Sequence, residues 1–154
     1  MRGAAPRIPK GSGRAVKKHE THPYTVMTVC TGNICRSPMG EIILRHEFEQ
    51  RGLGDAVRVE SSGVSDEEYG NPIDPRAVKV LRERGYAIPA KHFAHRITRN
   101  EIADTDLFLP MTASHMNALL HMLPLSKRSE VHMYRSFDPD LPDPQPGYES
   151  EIDL

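Results

Sequence analysis

Cys30, Arg36 and Ser37 have the types and spacing of a site that binds and attacks a phosphoryl group. They belong to the segment Cys30-Thr31-Gly32-Asn33-Ile34-Cys35-Arg36-Ser37. The planar guanidinium of an arginine matches two oxygens of a tetrahedral oxyanion. A cysteine in such a positive environment ionises readily, and its thiolate is a strong nucleophile. The pattern therefore predicts that Cys30 attacks a phosphoryl group held by Arg36.

The backbone of the same segment should also bind the anion. Successive N–H groups in a curled loop form an anion-binding nest, and the start of a following helix adds the positive end of its dipole. Gly32 can adopt a positive φ, and Asn33 tolerates one better than most residues do. A buried structural cysteine would explain Cys30 alone. We therefore expect phosphate to bind at Thr31, Gly32, Asn33, Ile34, Cys35, Arg36 and Ser37.

The sequence around this loop alternates short apolar strands with helices. Strands are predicted over residues 24–29, 57–60, 106–109 and 131–134. Helices are predicted over residues 37–51, 74–85 and 112–123, the first with Ser37 as its N-cap and the third with Thr112 or Ser114. This alternation implies an α/β fold with a four-stranded parallel sheet and helices on both faces. Ligands of such folds bind beyond the carboxyl ends of the strands, where the Cys30 loop lies.

The composition is typical of one globular domain. The chain has 154 residues, of which 38% are hydrophobic and 27% charged, and its net charge is −1. No apolar run could cross a membrane, and the balanced charge argues against nucleic acid as a partner. Residues 1–22 are basic and without periodicity, which predicts a disordered extension before a single domain over residues 23–154.

Two cysteines are too few for a disulfide scaffold or a four-thiolate zinc site, and the eight histidines form no metal-ligand spacing with them. Reduced thiols without a signal peptide favour the cytoplasm. Cys35 has two open roles: it packs beneath the loop, or it forms a protective disulfide with Cys30 under oxidation.

Residues 30–38, Cys-Thr-Gly-Asn-Ile-Cys-Arg-Ser-Pro, resemble the signature of the low-molecular-weight protein tyrosine phosphatases. The similarity continues in residues 60–63, 70–77, 92–98 and 106–111 and covers most of residues 24–144. It implies the fold of that family, the phosphotyrosine protein phosphatase I type, which is a Rossmann-like three-layer arrangement around four parallel strands. The sequence ends at Leu154, before the last helix of that family.

The resemblance also implies an activity: hydrolysis of phosphotyrosine in proteins, with release of inorganic phosphate and without a metal or other cofactor. Cys30 would form a cysteinyl-phosphate intermediate, and Arg36 would clamp the equatorial oxygens. Ser37 would hydrogen-bond the Cys30 sulfur. Asn33 would hold the loop in shape, with Ser61 as a supporting partner, and water would then hydrolyse the intermediate.

The general acid in this family is an aspartate that precedes a proline in a late loop. Two Asp-Pro pairs begin at Asp138 and Asp143. Because the segment around Asp138 resembles one upstream of the family's acid, Asp143 is predicted as the proton donor, with a residue beyond Leu154 as the alternative. The cleft wall of the family also carries an aromatic residue near the position of Glu67, whereas the nearest aromatic residue here is Tyr69.

Three other functions fit part of the pattern. A phosphotyrosine-binding module with little turnover would keep the loop and Arg36 but lack a working acid. An arsenate reductase would need further cysteines to relay a disulfide, and this chain has only two. A protein arginine phosphatase is disfavoured because Ile34 stands where those enzymes carry threonine.

Overall fold

In a computed structural model, which describes residues 23–137, a parallel sheet lies between two layers of helices. Its strands are β1 (Tyr24–Cys30), β2 (Val57–Gly63) and β3 (Leu107–Pro110), in the order β2-β1-β3. Because β1 pairs in parallel with both neighbours, the carboxyl ends of the three strands meet at one end of the sheet. Cys30 ends β1 and pairs with Gly63, the last residue of β2. The predicted phosphate loop therefore begins at that end of the sheet.

Four α-helices and two 3-10 helices complete the described part. The α-helices are α1 (Arg36–Gln50), α2 (Pro75–Glu83), α3 (Arg99–Asp104) and α4 (Ala113–Met122), and the 3-10 helices are Leu125–Glu130 and Tyr134–Phe137. Asp74, where the second helix was predicted to begin, caps α2, and Thr112 caps α4 as predicted, by accepting a hydrogen bond from the His115 N–H. Helix α3 was missed, although Thr98 and Glu101 form a capping box at its start. None of these helices, within residues 23–137, is long and apolar enough to span a membrane.

Two apolar clusters pack the helices that flank the sheet. On one face, Met27 and Val29 of β1 pack with Phe108 of β3 and with Leu119 and Leu123 at the end of α4. A second cluster joins the helices α1 and α2, and its buried members are Cys35, Ile42, Ile73, Ala77 and Leu81. The predicted parallel sheet with helices on its two faces is therefore confirmed.

The predicted fourth strand over residues 131–134 is wrong, because the sheet within residues 23–137 has three strands. Val131 makes one isolated parallel bridge with Phe108, and the His132 N–H donates to the Phe108 carbonyl at 3.0 Å. The next rung of a parallel ladder would use the N–H of residue 110, and Pro110 has none. The chain instead turns into the 3-10 helix Tyr134–Phe137. The pattern of residues 131–134 is that of a strand, but the neighbouring strand cannot continue the pairing.

Candidate active site

The loop between β1 and α1 surrounds an open pocket. The pocket is lined by Cys30, Thr31, Gly32, Ile34, Cys35, Arg36, Glu67 and Glu68. All of these except the two glutamates belong to the segment predicted to bind phosphate. The remaining members of that segment, Asn33 and Ser37, are fully buried behind the loop. The structure thus gathers the predicted residues at one place, some as the lining of the pocket and two as its support.

The Cys30 sulfur lies against the hydroxyl of Ser37, with an Sγ–Oγ distance of 3.0 Å. The oxygen of Ser37 also accepts a hydrogen bond of 2.9 Å from the side-chain amide of Asn33. Ser37 already accepts from Asn33, and an ionised Cys30 sulfur can only accept, so in the thiolate form the Ser37 proton is directed at the sulfur. A hydrogen bond donated to sulfur stabilises the thiolate more than the neutral thiol.

The orientation of the Asn33 amide is fixed from two sides. The Ser61 hydroxyl donates to Glu41 Oε1 at 2.6 Å, so its oxygen must accept from Asn33 Nδ2, which is 3.0 Å away. On the other side, Asn33 Oδ1 accepts from the His95 N–H at 3.1 Å. A flipped amide would place an oxygen against Ser61, whose only proton is already used. The Glu41 carboxylate, which is itself paired with Arg45, therefore determines indirectly that the Asn33 amide donates to Ser37.

The backbone of Asn33 adopts the left-handed conformation, with φ of 63°. Asparagine is one of the few residues other than glycine that tolerate this region. Its carbonyl oxygen lies 2.7 Å from His92 Nε2. Gly32, the other residue for which a positive φ was considered, is not among the residues with positive φ. A Cβ on Gly32 would lie 2.8 Å from Glu68 Cγ, so a larger residue there would displace that side chain.

The prediction that Ser37 caps the first helix is wrong. Helix α1 begins at Arg36, and Cys35 occupies the N-cap position without a side-chain capping bond. The Ser37 hydroxyl is used by the Cys30 sulfur instead, and the Ser37 carbonyl accepts from Thr28 Oγ1 at 2.7 Å. A serine before a proline is typical of a helix start, so the pattern alone could not separate the two roles.

Arg36 and the neighbouring Cys35 both line the pocket, but the Cys35 thiol is buried in an apolar cluster. Arg36 is the first residue of α1, is 9% exposed and lines the pocket. Cys35 belongs to the apolar cluster between α1 and α2, and burial together with the nearby Asp74 carboxylate raises the pKa of its thiol to about 11. Cys35 is therefore a neutral thiol at physiological pH. Cys35 packs in this cluster, and its disulfide with Cys30 under oxidation stays a prediction.

The end of β2 is in direct backbone contact with the loop. Val64 and Ser65, which follow Gly63, donate their N–H groups to the carbonyls of Cys30 at 2.9 Å and of Thr31 at 3.0 Å. A Cβ built on Gly63 would approach the Thr31 carbonyl oxygen to less than 3.0 Å, closer than real Cβ atoms come. Only glycine fits at this position without displacing the loop.

Several functional contacts were not found from the sequence. Glu41 lies one turn after Ser37 on α1, a spacing that places both on one side of the helix, but nothing in the sequence ties it to Ser61. Both His92 and His95 reach Asn33, one through its ring and the other through its backbone N–H. His115 reaches Thr31 from α4, and this contact depends on the packing of two elements that are distant in the chain.

Three further residues were named from the sequence: Asp143, Asp138 and Tyr69. Asp143 and Asp138 lie outside the described residues. Tyr69, the nearest aromatic residue to the expected cleft wall, is 75% exposed, and Glu67 and Glu68 line the pocket instead. Within residues 23–137, no three side chains of His, Cys, Asp or Glu are grouped as metal ligands would be.

A family model and two curated relatives share one description. Residues 25–153 match the family model described as low molecular weight phosphotyrosine protein phosphatase. The low molecular weight protein-tyrosine phosphatase A of Mycobacterium bovis is 41% identical over 138 residues, which are 85% of this chain and 82% of that protein. The low molecular weight protein-tyrosine-phosphatase of Streptomyces coelicolor is 37% identical over 132 residues, 80% of this chain and 79% of that protein.

A solved structure agrees with the sequence comparisons. The crystal structure of YfkJ from Bacillus subtilis superposes with a TM-score of 0.73 at 28% identity, over 84% of this chain and 82% of that one. The family model covers most of the chain, and its match includes the whole loop around Cys30. The chain belongs to the low molecular weight phosphotyrosine protein phosphatase family.

Proposed function

We propose that this protein hydrolyses phosphotyrosine monoesters of proteins through a cysteinyl-phosphate intermediate. Cys30 is the nucleophile, Arg36 clamps the phosphoryl group and Asp143 is the general acid. The observation that carries the proposal is the Cys30 sulfur, held 3.0 Å from the Ser37 hydroxyl at a pocket lined by Arg36. Membership of the phosphatase family supports the same conclusion.

In the first step the Cys30 sulfur attacks phosphorus. The S–P bond forms while the bond between phosphorus and the tyrosine oxygen breaks, and Asp143 gives its proton to that oxygen. Negative charge on the equatorial oxygens is stabilised by the Arg36 guanidinium and by the N–H groups of the loop. These groups carry the positive charge that the reaction needs, so the scheme uses no metal or other cofactor.

In the second step water hydrolyses the intermediate. Asp143, now ionised, takes a proton from the water, whose oxygen bonds to phosphorus as the S–P bond breaks. The Ser37 proton stabilises the departing thiolate, and inorganic phosphate leaves. Ile34 lines the pocket and offers an apolar surface to the phenyl ring of the substrate, which favours an aryl ester.

The nucleophile is tested by the hydrolysis of p-nitrophenyl phosphate by the wild type and by Cys30→Ser. We expect turnover by the wild type and a loss of about a thousandfold or more in kcat for the variant, since serine is a far weaker nucleophile at neutral pH. A wild type that binds vanadate but does not turn over would contradict the proposal and favour a phosphotyrosine-binding module.

The acid is tested by a matched pair, Asp143→Asn and Asp138→Asn. We expect Asp143→Asn to lower kcat by about a hundredfold or more for phenyl phosphate, whose leaving group needs a proton, and less for p-nitrophenyl phosphate. Asp138→Asn, which also precedes a proline, should leave both rates within about twofold. If Asp138→Asn gave the larger loss, or neither variant lost activity, the assignment of Asp143 would be wrong.

A further inference from the structure

We propose that His115 is a positioning residue, which fixes the first part of the phosphate loop by holding the side chain of Thr31. This proposal rests on the phosphatase function proposed above and concerns a residue on a different element, α4. His115 Nε2 lies 2.8 Å from Thr31 Oγ1. Thr31 lines the pocket directly after the Cys30 nucleophile, so the contact joins α4 to the anion site.

The imidazole is itself held in place by the start of its helix. His115 is 2% exposed, and its Nδ1 lies 3.1 Å from the hydroxyl of Thr112, the fully buried N-cap of α4. The residue between Pro110 and that cap, Met111, donates its N–H to the carbonyl of Val29, the neighbour of Cys30, at 2.9 Å. The start of α4, which holds the imidazole, is therefore hydrogen-bonded to β1, the strand from which the loop begins.

The bridge between the two hydroxyls does not depend on which ring nitrogen carries the proton. A neutral imidazole has one N–H donor and one acceptor nitrogen, and a threonine hydroxyl can act as either. In one tautomer the ring donates to Thr31 and accepts from Thr112, and in the other it does the reverse. Both arrangements give Thr31 one partly buried hydrogen bond that fixes its rotamer and the backbone around it.

This support is separate from the one that holds the sulfur. Asn33, Ser61 and Ser37 act on the β2 side of the loop, in a chain of hydrogen bonds that ends at the Cys30 sulfur. His115 acts on the α4 side, on the residue whose backbone opens the anion nest. Loss of the His115 contact should therefore weaken oxyanion binding while the reactivity of the Cys30 thiol stays the same, a split that a general loss of packing would not produce.

Two substitutions separate the two bonds of the ring. The amide nitrogen of glutamine can take the place of imidazole Nε2, whereas that of asparagine takes the place of Nδ1. His115→Gln therefore keeps the contact with Thr31, and His115→Asn keeps only the contact with Thr112. We expect the inhibition constant of vanadate to be about threefold to tenfold higher for His115→Asn than for His115→Gln, the range for one intramolecular hydrogen bond. The pH profile of Cys30 alkylation by iodoacetamide should coincide for the two.

Thr31→Val provides the other half of a double-mutant cycle with His115→Asn, since it removes the Thr31 hydroxyl at nearly constant side-chain shape. It should weaken vanadate binding as His115→Asn does, and combining the two should add little further loss. Equal vanadate constants for His115→Gln and His115→Asn, or additive losses in the double variant, would overturn the proposal. The wild type is measured beside them, and its turnover of p-nitrophenyl phosphate tests the phosphatase function independently of these comparisons.

Discussion

Replacing Gly63 by alanine should damage the site although the residue carries no reactive group. The added Cβ would meet the Thr31 carbonyl oxygen at less than 3.0 Å, and the Asn33 amide nitrogen at 3.1 Å. Both neighbours are backbone atoms of the phosphate loop, so no side chain can rotate away to relieve the contact. The loop must move by roughly half an ångström or more, and a misplacement of about 1 Å at a reacting centre can cost about a hundredfold in rate.

We expect Gly63→Ala to lower kcat/KM for p-nitrophenyl phosphate by about tenfold to a hundredfold. Its free energy of unfolding should fall by about 1–3 kcal/mol, as for other overpacked sites. The control is Gly54→Ala, where the nearest atom to the new Cβ, at 3.2 Å, is Cγ of the flexible Glu49 side chain. That variant should keep wild-type kinetics. A Gly63→Ala enzyme with wild-type kcat/KM and vanadate affinity would refute the idea that this contact shapes the loop.

Three further outcomes follow from the bonds around the loop. Glu41→Gln weakens the acceptor that orients Ser61 and should lower kcat by about threefold to tenfold. Glu47→Gln, on the exposed part of the same helix, should leave kcat unchanged. Equal kinetics of the two variants would contradict the role of Glu41 in orienting Ser61, Asn33 and Ser37. Iodoacetamide at about pH 7 should label Cys30 and spare Cys35, whose pKa burial raises to about 11, and peptide mass spectrometry that finds Cys35 labelled first would disprove this. A hydrogen bond to Glu101 raises the pKa of His95 above 6.5, so its stabilising contribution is complete below pH 6.5 and is lost as pH rises through the folded-state value. The difference in unfolding free energy between wild type and His95→Gln, from urea titration, should therefore be larger at about pH 5.5 than at about pH 9.

The loop and its neighbours could be predicted because their signals are local. Strand β1, the glycine and asparagine of the loop, and the helix that follows lie within one short stretch of sequence. The β-branched and aromatic run of β1 and the Asp74-Pro75 pair that opens α2 can each be recognised without knowledge of long-range contacts. The carboxyl end of the first strand is also the expected place for a ligand in this fold class.

The rest of the site depends on contacts between distant parts of the chain. Glu41 and His115 look like ordinary helix residues until β2 and α4 bring them to the loop. Ser37 has the sequence context of a helix cap, and only the position of the Cys30 sulfur shows where its proton goes. A serine can cap a helix or take part in a catalytic site, and only its hydrogen-bond partners show which role it has.

Pro110 has a consequence for the solution behaviour of the protein. Within residues 23–137, β3 is an outer strand of the sheet, and strands in that position can recruit strands of other molecules. On its outward side, Phe108 is already engaged by the bridge to Val131, and Pro110 has no N–H to offer. The imino acid that stops the sheet from growing inside the chain therefore also deters it from growing between chains, which protects the folded protein against aggregation along this border.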